Sequence, residues 1–440
     1  METKKEKWTI AGIPLVLYAI VFAVIVIAYG MGKTPNNFLT GFGFCMVIGF
    51  VLDKLGRSNK YLNMLGGASL MCLFVPSILV YFGLIPENIV EATDEFYTGS
   101  MGFIDFFVAS LLTGSLLSMD RKILVEAGKR YAVPLLMGVV FAFGCAGLIG
   151  AVSGYGFSAA ILNLAIPIMG GGIGAGAIPI ASVYEGYGYS VVGGDILSML
   201  MPAVTLANIV AILTAAILNA IANTGKMPAG FNGNGKLMRT GPVYEVKEDQ
   251  VKKGATFESL GIGLLCACGI YSFGYLCSKV LFVNVPGLNK IHAYAYAILT
   301  AAVLKILGVL PKKIEDGAGE WYQLVSYIGV PTILVCIGIT AMDLNTIFAS
   351  ISNPVYLLIT VVVTVAAAIG AGLGGLIMKM FFVESGITAG LCMANAGGAG
   401  DVAVLGAAGR MNLMPFAQIS SRIGGALILL IASFLTPLLL

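Results

Sequence analysis

The sequence predicts an all-α polytopic membrane protein with about eleven transmembrane helices and two re-entrant hairpins in an inverted five-helix repeat. Composition is the first reason: 58% of the 440 residues are hydrophobic and 11% are charged, which leaves more apolar surface than a soluble fold buries. The second is a succession of apolar stretches of about 20 residues, each long enough to cross the hydrocarbon core as a helix. The third is a pair of apolar segments that glycines interrupt at mid-length.

Hydropathy places the spans, and loop charge places their orientation. The predicted helices cover residues 9–31, 38–53, 62–86, 101–119, 131–152, 197–223, 257–283, 291–310, 321–343, 355–380 and 413–439. Loops rich in lysine and arginine remain in the cytoplasm, so the N terminus is expected inside and the C terminus outside. The same rule places Lys312, Lys313 and Arg410 in cytoplasmic loops. The acidic stretch PENIVEATDEF (residues 86–96) is expected as an external loop. Trp8 and Trp321 each stand at the start of a predicted span, where indole rings favour the membrane interface.

Charge and cysteine content exclude several classes of protein. The net charge is only +3, so no polybasic face indicates a nucleic-acid partner. The eight cysteines lie in apolar stretches, which fits small buried hydrophobic residues better than disulfides or a zinc site. The first span is too long for the h-region of a signal peptide and is expected to be retained. No nucleophile with a base, phosphate loop or metal cluster stands out, so we predict a protein that is not an enzyme and has no cofactor.

Two segments do not fit as ordinary spans. They read ILNLAIPIMGGGIGAGAIPIASVY (residues 161–184) and ESGITAGLCMANAGGAGDVAVLGAAG (residues 384–409). Glycine costs roughly 1 kcal/mol relative to alanine inside a helix, and non-helical backbone at membrane depth is tolerated only where protein or water satisfies it. Both segments are therefore predicted as re-entrant hairpins whose bare backbone approaches a solute closely.

The two hairpins align with each other in sequence. Residues 171–174 match residues 397–400, and the helices that follow pair so that Asn208 falls on Ser421. Paired interrupted segments in inverted halves indicate the binding site of a secondary transporter; two independent glycine-rich packing segments are the alternative. The predicted organisation is an N-terminal segment with one helix (1–36), a first repeat (37–225), a cytoplasmic loop (226–255) and a second repeat (256–440).

Arg422 is the ionisable residue most favoured for a functional role. It lies well inside the last predicted span, where a charge is costly. A fixed guanidinium holds a carboxylate through two parallel hydrogen bonds, as an organic-anion site requires. The alternative is a structural ion pair with Asp401 or Glu384. Lys305, close to the end of its span, is expected to extend to the interface, and His292, at a span edge, is not expected to relay protons.

Neutral oxygens near the second hairpin favour a sodium site. The predicted ligands are Asn395, Met393, Ser420 and Ser421, which lie in or beside the segment expected to be unwound. Side-chain and carbonyl oxygens suit a desolvated sodium ion, and ordinary hydrogen bonding between helices is the alternative.

The chain also resembles the bacterial 2-hydroxycarboxylate transporters, whose members carry citrate, malate or lactate. The resemblance covers nearly the whole length and is tightest in IMGGGIGAGAIP, ESGITAGLCMANAGGAGDVAVL and RMNLMPFAQISSRIGG. It implies a homodimer of eleven-span subunits in which a transport domain moves relative to a dimerisation scaffold. Sodium-coupled members place ions near the positions of Asn395 and Ser421. The implied substrate residues are Arg422, Gly171, Gly172, Ile173, Gly174, Asn395, Gly397, Gly398 and Ala399.

The hairpin tips depart from those of the sodium-citrate members. Those members typically read GGGNGAG and ANRGGSGD, whereas the matching positions here are Ile173, Ala396 and Ala399. A citrate would meet one arginine instead of two, and each lost charge-assisted hydrogen bond is worth about 1.5–3 kcal/mol. A substrate such as malate or lactate is therefore expected rather than citrate.

The sequence thus predicts a secondary carrier of small 2-hydroxycarboxylates that works by alternating access in the bacterial cytoplasmic membrane, with Na⁺ as the favoured coupling ion. Proton symport and exchange of precursor for product remain open within the same family. A different class is the membrane subunit of a sodium-pumping decarboxylase, which would depend on a biotin-carrying partner. A passive channel is a third possibility.

Overall fold

The computed structural model of the chain describes residues 9–32, 34–58, 67–119, 121, 128–189, 196–224, 227–239, 255–285, 288 and 291–440. Helices α1 to α6 are Leu15–Gly30, Phe38–Ser58, Gly67–Tyr81, Glu87–Tyr97, Phe103–Leu117 and Gly128–Ser153. Helices α7 to α11 are Phe157–Met169, Ile178–Gly186, Ile196–Ala222, Phe257–Leu281 and Ala293–Leu307. Helices α12 to α18 are Lys312–Thr340, Leu344–Ser352, Pro354–Ile377, Phe382–Ser385, Gly398–Ala407, Met414–Ile419 and Gly425–Leu439. Three π-helical turns adjoin α8, α15 and α17: Ile173–Ala177, Gly386–Leu391 and Ser420–Gly424.

The prediction of an all-α polytopic membrane protein is confirmed. Within the described residues, seven helices are long and apolar enough to cross a membrane, and five shorter helices of 10–17 residues are also apolar. The shorter ones include α3 and α5, which lie where complete spans were predicted.

The prediction of a helix from residue 9 is wrong. Thr9–Ile10 (β1) and Ile13–Pro14 (β2) form an antiparallel hairpin, and α1 begins only at Leu15. The two residues between the strands, Ala11 and Gly12, have φ values of 51° and 79°. Left-handed backbone at both positions is what a two-residue type I′ turn requires.

Other differences concern polar helical turns that a hydropathy reading misses. The acidic stretch predicted as a loop forms α4, and α13 lies between two predicted spans. Helix α12 begins at Lys312, so Trp321 lies within it rather than at its start. The indole Nε1 of Trp321 donates to Ser110 Oγ at 3.0 Å, which gives this ring a packing partner on α5.

Packing divides the chain into two units, the first formed by Met1–Phe107 with Leu324–Ile347 and the second by Val108–Gln323 with Phe348–Leu440. The first unit is held partly by aromatic rings: Phe96 and Phe103 stack with their centroids 4.6 Å apart. Its helices also approach through glycines, because a Cβ atom at Gly49 would lie 2.7 Å from the carbonyl oxygen of Pro331. Such close approach is typical of small residues between membrane helices.

The second unit contains both glycine-interrupted segments. Helices α6 and α14 pack closely, since a Cβ atom at Gly370 would lie 2.5 Å from the carbonyl oxygen of Met137. The π-helical turn after α15 packs on α14, where Gly390 lies against the backbone of Ala367 and Ala368. Small residues therefore place the second glycine-rich segment directly on a pair of long helices.

Candidate functional site

The first glycine-rich segment folds as a helical hairpin, called hairpin 1 (residues 157–186). Its limbs are α7 and the π-helical turn with α8. Tyr184 Oη donates to the carbonyl oxygen of Leu162 at 2.7 Å, so the two limbs lie side by side at the base. At the tip, Gly171 and Gly172 have φ values of 75° and 124°, a backbone that side chains with a Cβ atom rarely adopt.

The second segment also folds as a hairpin, called hairpin 2 (residues 382–407). Its first limb is α15 with its π-helical turn, and its second limb is α16. The tip is built on Asn395, whose Oδ1 accepts from the N–H of Gly397 at 2.8 Å. Gly397 has φ of 94°, which again favours glycine.

The two tips touch each other. The N–H of Gly171 donates to the carbonyl oxygen of Met393 at 3.2 Å. A Cβ atom at Gly172 would lie 2.8 Å from the Cα atom of Gly397, and one at Gly171 would overlap the carbonyl oxygen of Ser421. The bare backbone that stands out in the sequence is therefore needed for the two tips and the Ser420–Gly424 turn to meet.

Asn208 on α9 is a further contact of the hairpin 2 tip. Its side chain is 1% exposed, and its Oδ1 accepts from the N–H of Ala396 at 3.1 Å. A Cβ atom at Gly400 would lie 2.7 Å from the same oxygen. Asn208 was not among the predicted site residues, because a neutral amide within an apolar span has no charge to mark it.

A buried oxygen cluster lies behind the hairpin 2 tip and consists of Asn395, Asp401, Ser421 and the carbonyl group of Cys392. Asn395 Nδ2 donates to Asp401 Oδ1 at 2.9 Å. Ser421 Oγ lies 2.9 Å and 2.8 Å from the two Asp401 carboxylate oxygens and 3.0 Å from the carbonyl oxygen of Cys392. A hydroxyl has one proton, so it donates to one of these three oxygens at a time. Asp401 and Asn395 are both 0% exposed.

The structure separates the residues of the predicted sodium site. Asn395 and Ser421 lie in the oxygen cluster, and the carbonyl oxygen of Met393 accepts the hydrogen bond from hairpin 1. Ser420 faces another way: its Oγ lies 2.8 Å from Tyr131 Oη and 3.2 Å from the carbonyl oxygen of Phe416. Within the described ranges, no three His, Cys, Asp or Glu residues group as transition-metal ligands do.

Arg422 is placed by helices α5 and α12. Its Nη1 donates to Ser118 Oγ at 3.3 Å, and its Cζ lies 5.2 Å above the ring centroid of Tyr322. Among the residues that the structure describes, Arg422 forms no salt bridge, so neither ion pair considered as the alternative is formed in direct contact, although its charge acts on the Asp401 carboxylate from a longer distance. The backbone of the Ser420–Gly424 turn meets the tip of hairpin 1, while the guanidinium extends toward α5 and α12.

Glu384 has a different partner, Arg410. The two side chains are 0% and 3% exposed, and Arg410 Nε donates to Glu384 Oε1 at 2.9 Å. The carboxylate also accepts from the N–H groups of Gly233 and Gly235 at 2.9 Å and 3.0 Å. Arg410 donates further to Asn219 Oδ1 at 2.7 Å. This pair closes the base of hairpin 2, and Arg410 is not the solvated loop charge that the topology prediction took it to be.

The tips present two helix starts without side-chain caps. The π-helical turn of hairpin 1 starts at Ile173, and α16 of hairpin 2 starts at Gly398. The residues at their N-cap positions are Gly172 and Gly397, and no side chain accepts a capping hydrogen bond at either N terminus. A Cβ atom at Gly398 would meet nothing within 4 Å. The first N–H groups of a helix lack intrahelical partners and carry partial positive charge, which favours anions.

Lys305 and His292 have structural roles. Lys305 is 3% exposed rather than extended to the interface, because its Nζ lies 2.8 Å from Glu315 Oε2 and 2.8 Å from the carbonyl oxygen of Leu117. His292 caps α11 by accepting from the N–H of Tyr294 at 3.3 Å. All eight cysteines are free thiols, and five of them are buried as predicted, whereas Cys145 and Cys266 are half-buried and Cys268 is exposed.

Comparison with known proteins gives one consistent result. The family model described as the 2-hydroxycarboxylate transporter family matches residues 10–434. The chain is 35% identical to the Na(+)-malate symporter of Bacillus subtilis (strain 168), over 95% of this chain and 90% of that protein. It is 34% identical to the citrate transporter CitP of Lactococcus lactis subsp. lactis, over 98% and 94%. It is also 34% identical to the citrate/sodium symporter of Klebsiella pneumoniae, over 96% and 94%.

These relatives are transporters, and their similarity extends over nearly the whole chain. The protein is therefore an integral membrane transporter and not an enzyme. It belongs to the 2-hydroxycarboxylate transporter family.

Proposed function

We propose that the protein is a sodium-coupled secondary transporter of small 2-hydroxycarboxylates that works by alternating access in the bacterial cytoplasmic membrane. The family supports the substrate class, and relatives named for sodium support the coupling ion. Identities of 35% and 34% do not separate the malate-named relative from the citrate-named ones. The preference for malate or lactate over citrate rests instead on the residues at the hairpin tips.

The observation that carries the proposal is a guanidinium that forms no ion pair with a carboxylate among the described residues and is attached to the turn that meets the two helix starts at the hairpin tips. In this proposal, Arg422 binds one carboxylate of the substrate, and the helix starts bind another oxygen of the anion. The N–H groups of Gly171 and Gly397 already have partners. The backbone N–H groups left for the substrate are those of Ile173 and Gly174 in hairpin 1 and of Gly398 and Ala399 in hairpin 2.

The tip composition supports a small anion. Ile173 is 5% exposed and apolar, and Ala396 stands where the sodium-citrate pattern has a second arginine. A third carboxylate would therefore lose about 1.5–3 kcal/mol for each charge-assisted hydrogen bond that is not made. Malate and lactate have fewer carboxylates to satisfy.

The oxygen cluster is the proposed sodium site. A buried carboxylate needs a compensating charge or a full set of hydrogen bonds, and Asp401 meets an amide and a hydroxyl. A sodium ion at this position would be held by Asp401, by the Ser421 hydroxyl and by backbone or amide oxygens, and would neutralise the carboxylate. Asp401 replaces Ser420 in the predicted ligand set. The site adjoins the hairpin 2 tip, so sodium binding would order the groups that receive the substrate.

The finer architecture belongs to the same proposal: eleven spans, hairpins that enter from opposite sides, inverted repeats, a cytoplasmic N terminus, an external C terminus and a homodimer. The adjacent limbs of each hairpin and the contact between the two tips support re-entrant segments that meet within the membrane.

The experiment is uptake of labelled L-malate into proteoliposomes, with and without an imposed sodium gradient, with unlabelled citrate or lactate as competitors. The proposal predicts uptake that requires the sodium gradient, saturates, and is inhibited by lactate more strongly than by citrate. Malate uptake that does not depend on sodium but is faster when the proteoliposomes are loaded with lactate would establish an exchanger instead. Uptake driven by a pH gradient alone would establish a proton symporter. If labelled L-malate is not taken up under any of these conditions, and labelled citrate and lactate tested in its place are not taken up either, the substrate class is overturned.

A further inference from the structure

We propose that Tyr322 and Ser118 are positioning residues for substrate recognition: they hold the guanidinium of Arg422 so that its remaining edge is free for a carboxylate. This inference rests on the proposed function, in which Arg422 binds the substrate. It adds Ser118, which directly follows α5, and Tyr322 on α12 as residues that determine how tightly the carboxylate is bound.

The geometry of Arg422 uses little of its hydrogen-bonding capacity. The ring of Tyr322 lies against the face of the guanidinium, with Cζ 5.2 Å from the ring centroid, and this contact engages no N–H group. Ser118 Oγ accepts from Nη1 alone, at 3.3 Å. A guanidinium has five N–H donors in one plane. The edge formed by the other nitrogen atoms can therefore take a carboxylate through two parallel bonds while both contacts persist.

Both holding residues are fixed by close contact between α5 and α12. A Cβ atom at Gly114 would lie 2.5 Å from the Cβ atom of Tyr322, and one at Gly319 would lie 2.9 Å from the Cβ atom of Ser118. One turn away, Trp321 Nε1 donates to Ser110 Oγ at 3.0 Å. Neither helix can shift against the other without a clash or a lost hydrogen bond. The Tyr322 ring and the Ser118 hydroxyl therefore form a rigid support for the guanidinium.

The end of α5 also favours a cation at this position. The carbonyl group of Leu117, the last residue of α5, accepts from Lys305 Nζ at 2.8 Å, and Ser118 follows directly. Unsatisfied carbonyl groups give a helix C terminus a partial negative charge. Glu315 balances the charge of Lys305 at 2.8 Å, whereas Arg422 has no ion pair among the described residues.

Holding the side chain matters because a free arginine samples many rotamers, and binding must select one of them. Tyr322 and Ser118 hold Arg422 in one rotamer before the substrate arrives. Substrate binding is therefore stronger, because less conformational entropy of the side chain is lost on binding. Loss of the ring is therefore expected to raise the substrate KM more than it lowers the maximal rate, by about three- to tenfold for a cation–π contact of this kind.

The test compares Tyr322→Leu, Tyr322→Phe and Ser118→Ala in proteoliposomes, with L-malate as the probe. Tyr322→Leu retains the Cβ atom that packs on Gly114, so the helix pair should remain intact. Tyr327→Leu is the matched control, because Tyr327 is on the same helix, is 58% exposed and packs its ring at a tilt against Phe50, with the centroids 5.5 Å apart. The expected result is a three- to tenfold higher malate KM for Tyr322→Leu, a smaller increase for Ser118→Ala, recovery in Tyr322→Phe and no change in Tyr327→Leu.

A double-mutant cycle with Arg422→Lys separates positioning from a general structural effect. A lysine ammonium is a point charge on a flexible stem and not a planar fork, so the ring orients it less, and Tyr322→Leu should change the malate KM less in that background. An equal increase in both backgrounds would overturn the inference, as would an unchanged KM in Tyr322→Leu. If wild type takes up no carboxylate, or Arg422→Lys leaves the malate KM unchanged, the proposed function of Arg422 itself fails. Malate-dependent shifts in the Tm of purified protein provide the same comparison where a variant transports too slowly.

Discussion

The N–H of Gly171 donates to the carbonyl oxygen of Met393 at 3.2 Å, and this bond joins the tips of two hairpins from opposite halves of the chain. No side chain takes part, so the bond depends on backbone that can come this close. The same close approach brings the Ser420–Gly424 turn to the tips, and with it Arg422. Substrate recognition, in this account, begins from a contact between bare backbones.

Gly171→Ala is expected to abolish more than nine-tenths of transport. The added methyl group would overlap the carbonyl oxygen of Ser421, and the φ of 75° adds strain. Initial rates of malate uptake at equal protein density provide the measurement. Gly406→Ala is the control, since a Cβ atom there meets nothing within 4 Å. Uptake near the wild-type rate in Gly171→Ala would show that the tips do not need this contact.

Asn208→Ala is expected to raise the malate KM about tenfold, because the N–H of Ala396 loses its acceptor and the hairpin 2 tip loses a fixed support. A buried donor left unsatisfied costs about 1–3 kcal/mol. Asn223→Ala, at an exposed amide beyond the end of α9, should leave the KM unchanged. Equal values for the two variants would remove Asn208 from the site.

Ser421→Ala is expected to raise the sodium concentration for half-maximal uptake about tenfold, and Asp401→Asn to abolish sodium dependence. Both changes remove oxygen ligands or charge from the oxygen cluster. Ser420→Ala distinguishes the sodium site proposed from the structure from the one predicted from the sequence, because Ser420 contacts Tyr131 and not Asp401. If Ser420→Ala shifted sodium dependence as strongly as Ser421→Ala, the oxygen cluster would be the wrong site.

Glu384→Gln is expected to lower the free energy of unfolding by about 3–5 kcal/mol, since it leaves the buried cation of Arg410 without its partner. Loss of thermal stability of the purified protein in detergent checks this. Glu258→Gln breaks an ion pair whose side chains are 69% and 63% exposed, and such pairs contribute about 0–1 kcal/mol. Comparable loss in both variants would indicate that the Glu384–Arg410 pair does not stabilise hairpin 2.

Features that depend on local residue pattern could be predicted from sequence. Apolar stretches predicted the long helices, and glycines within otherwise apolar segments predicted the two helical hairpins. The turn at Ala11 and Gly12 was missed because the hydrophobic stretch continues through it, and α13 because it is short and half polar. Hydropathy measures transfer into lipid, so it does not register a polar helical turn or a tight β-turn.

Features that depend on which distant residues meet could not be predicted in this way. Asp401 and Ser421 were both noticed, yet only the fold shows that the hydroxyl lies against the carboxylate. Arg410 was interpreted as a loop charge, because its partner Glu384 stands 26 residues earlier at the other end of the hairpin. Tyr322 carried no signal, since a tyrosine in a predicted span is most simply a packing residue.

The most direct test is the equilibrium affinity of purified protein for L-malate, measured by titration calorimetry at low and high sodium in wild type and Arg422→Gln. If sodium at the oxygen cluster strengthens malate binding at the adjoining hairpin 2 tip, malate must strengthen sodium binding by the same factor. The account predicts a malate Kd that falls at least fivefold with sodium in wild type, and no measurable binding in Arg422→Gln. A malate Kd that is independent of sodium, or intact binding without Arg422, would contradict it.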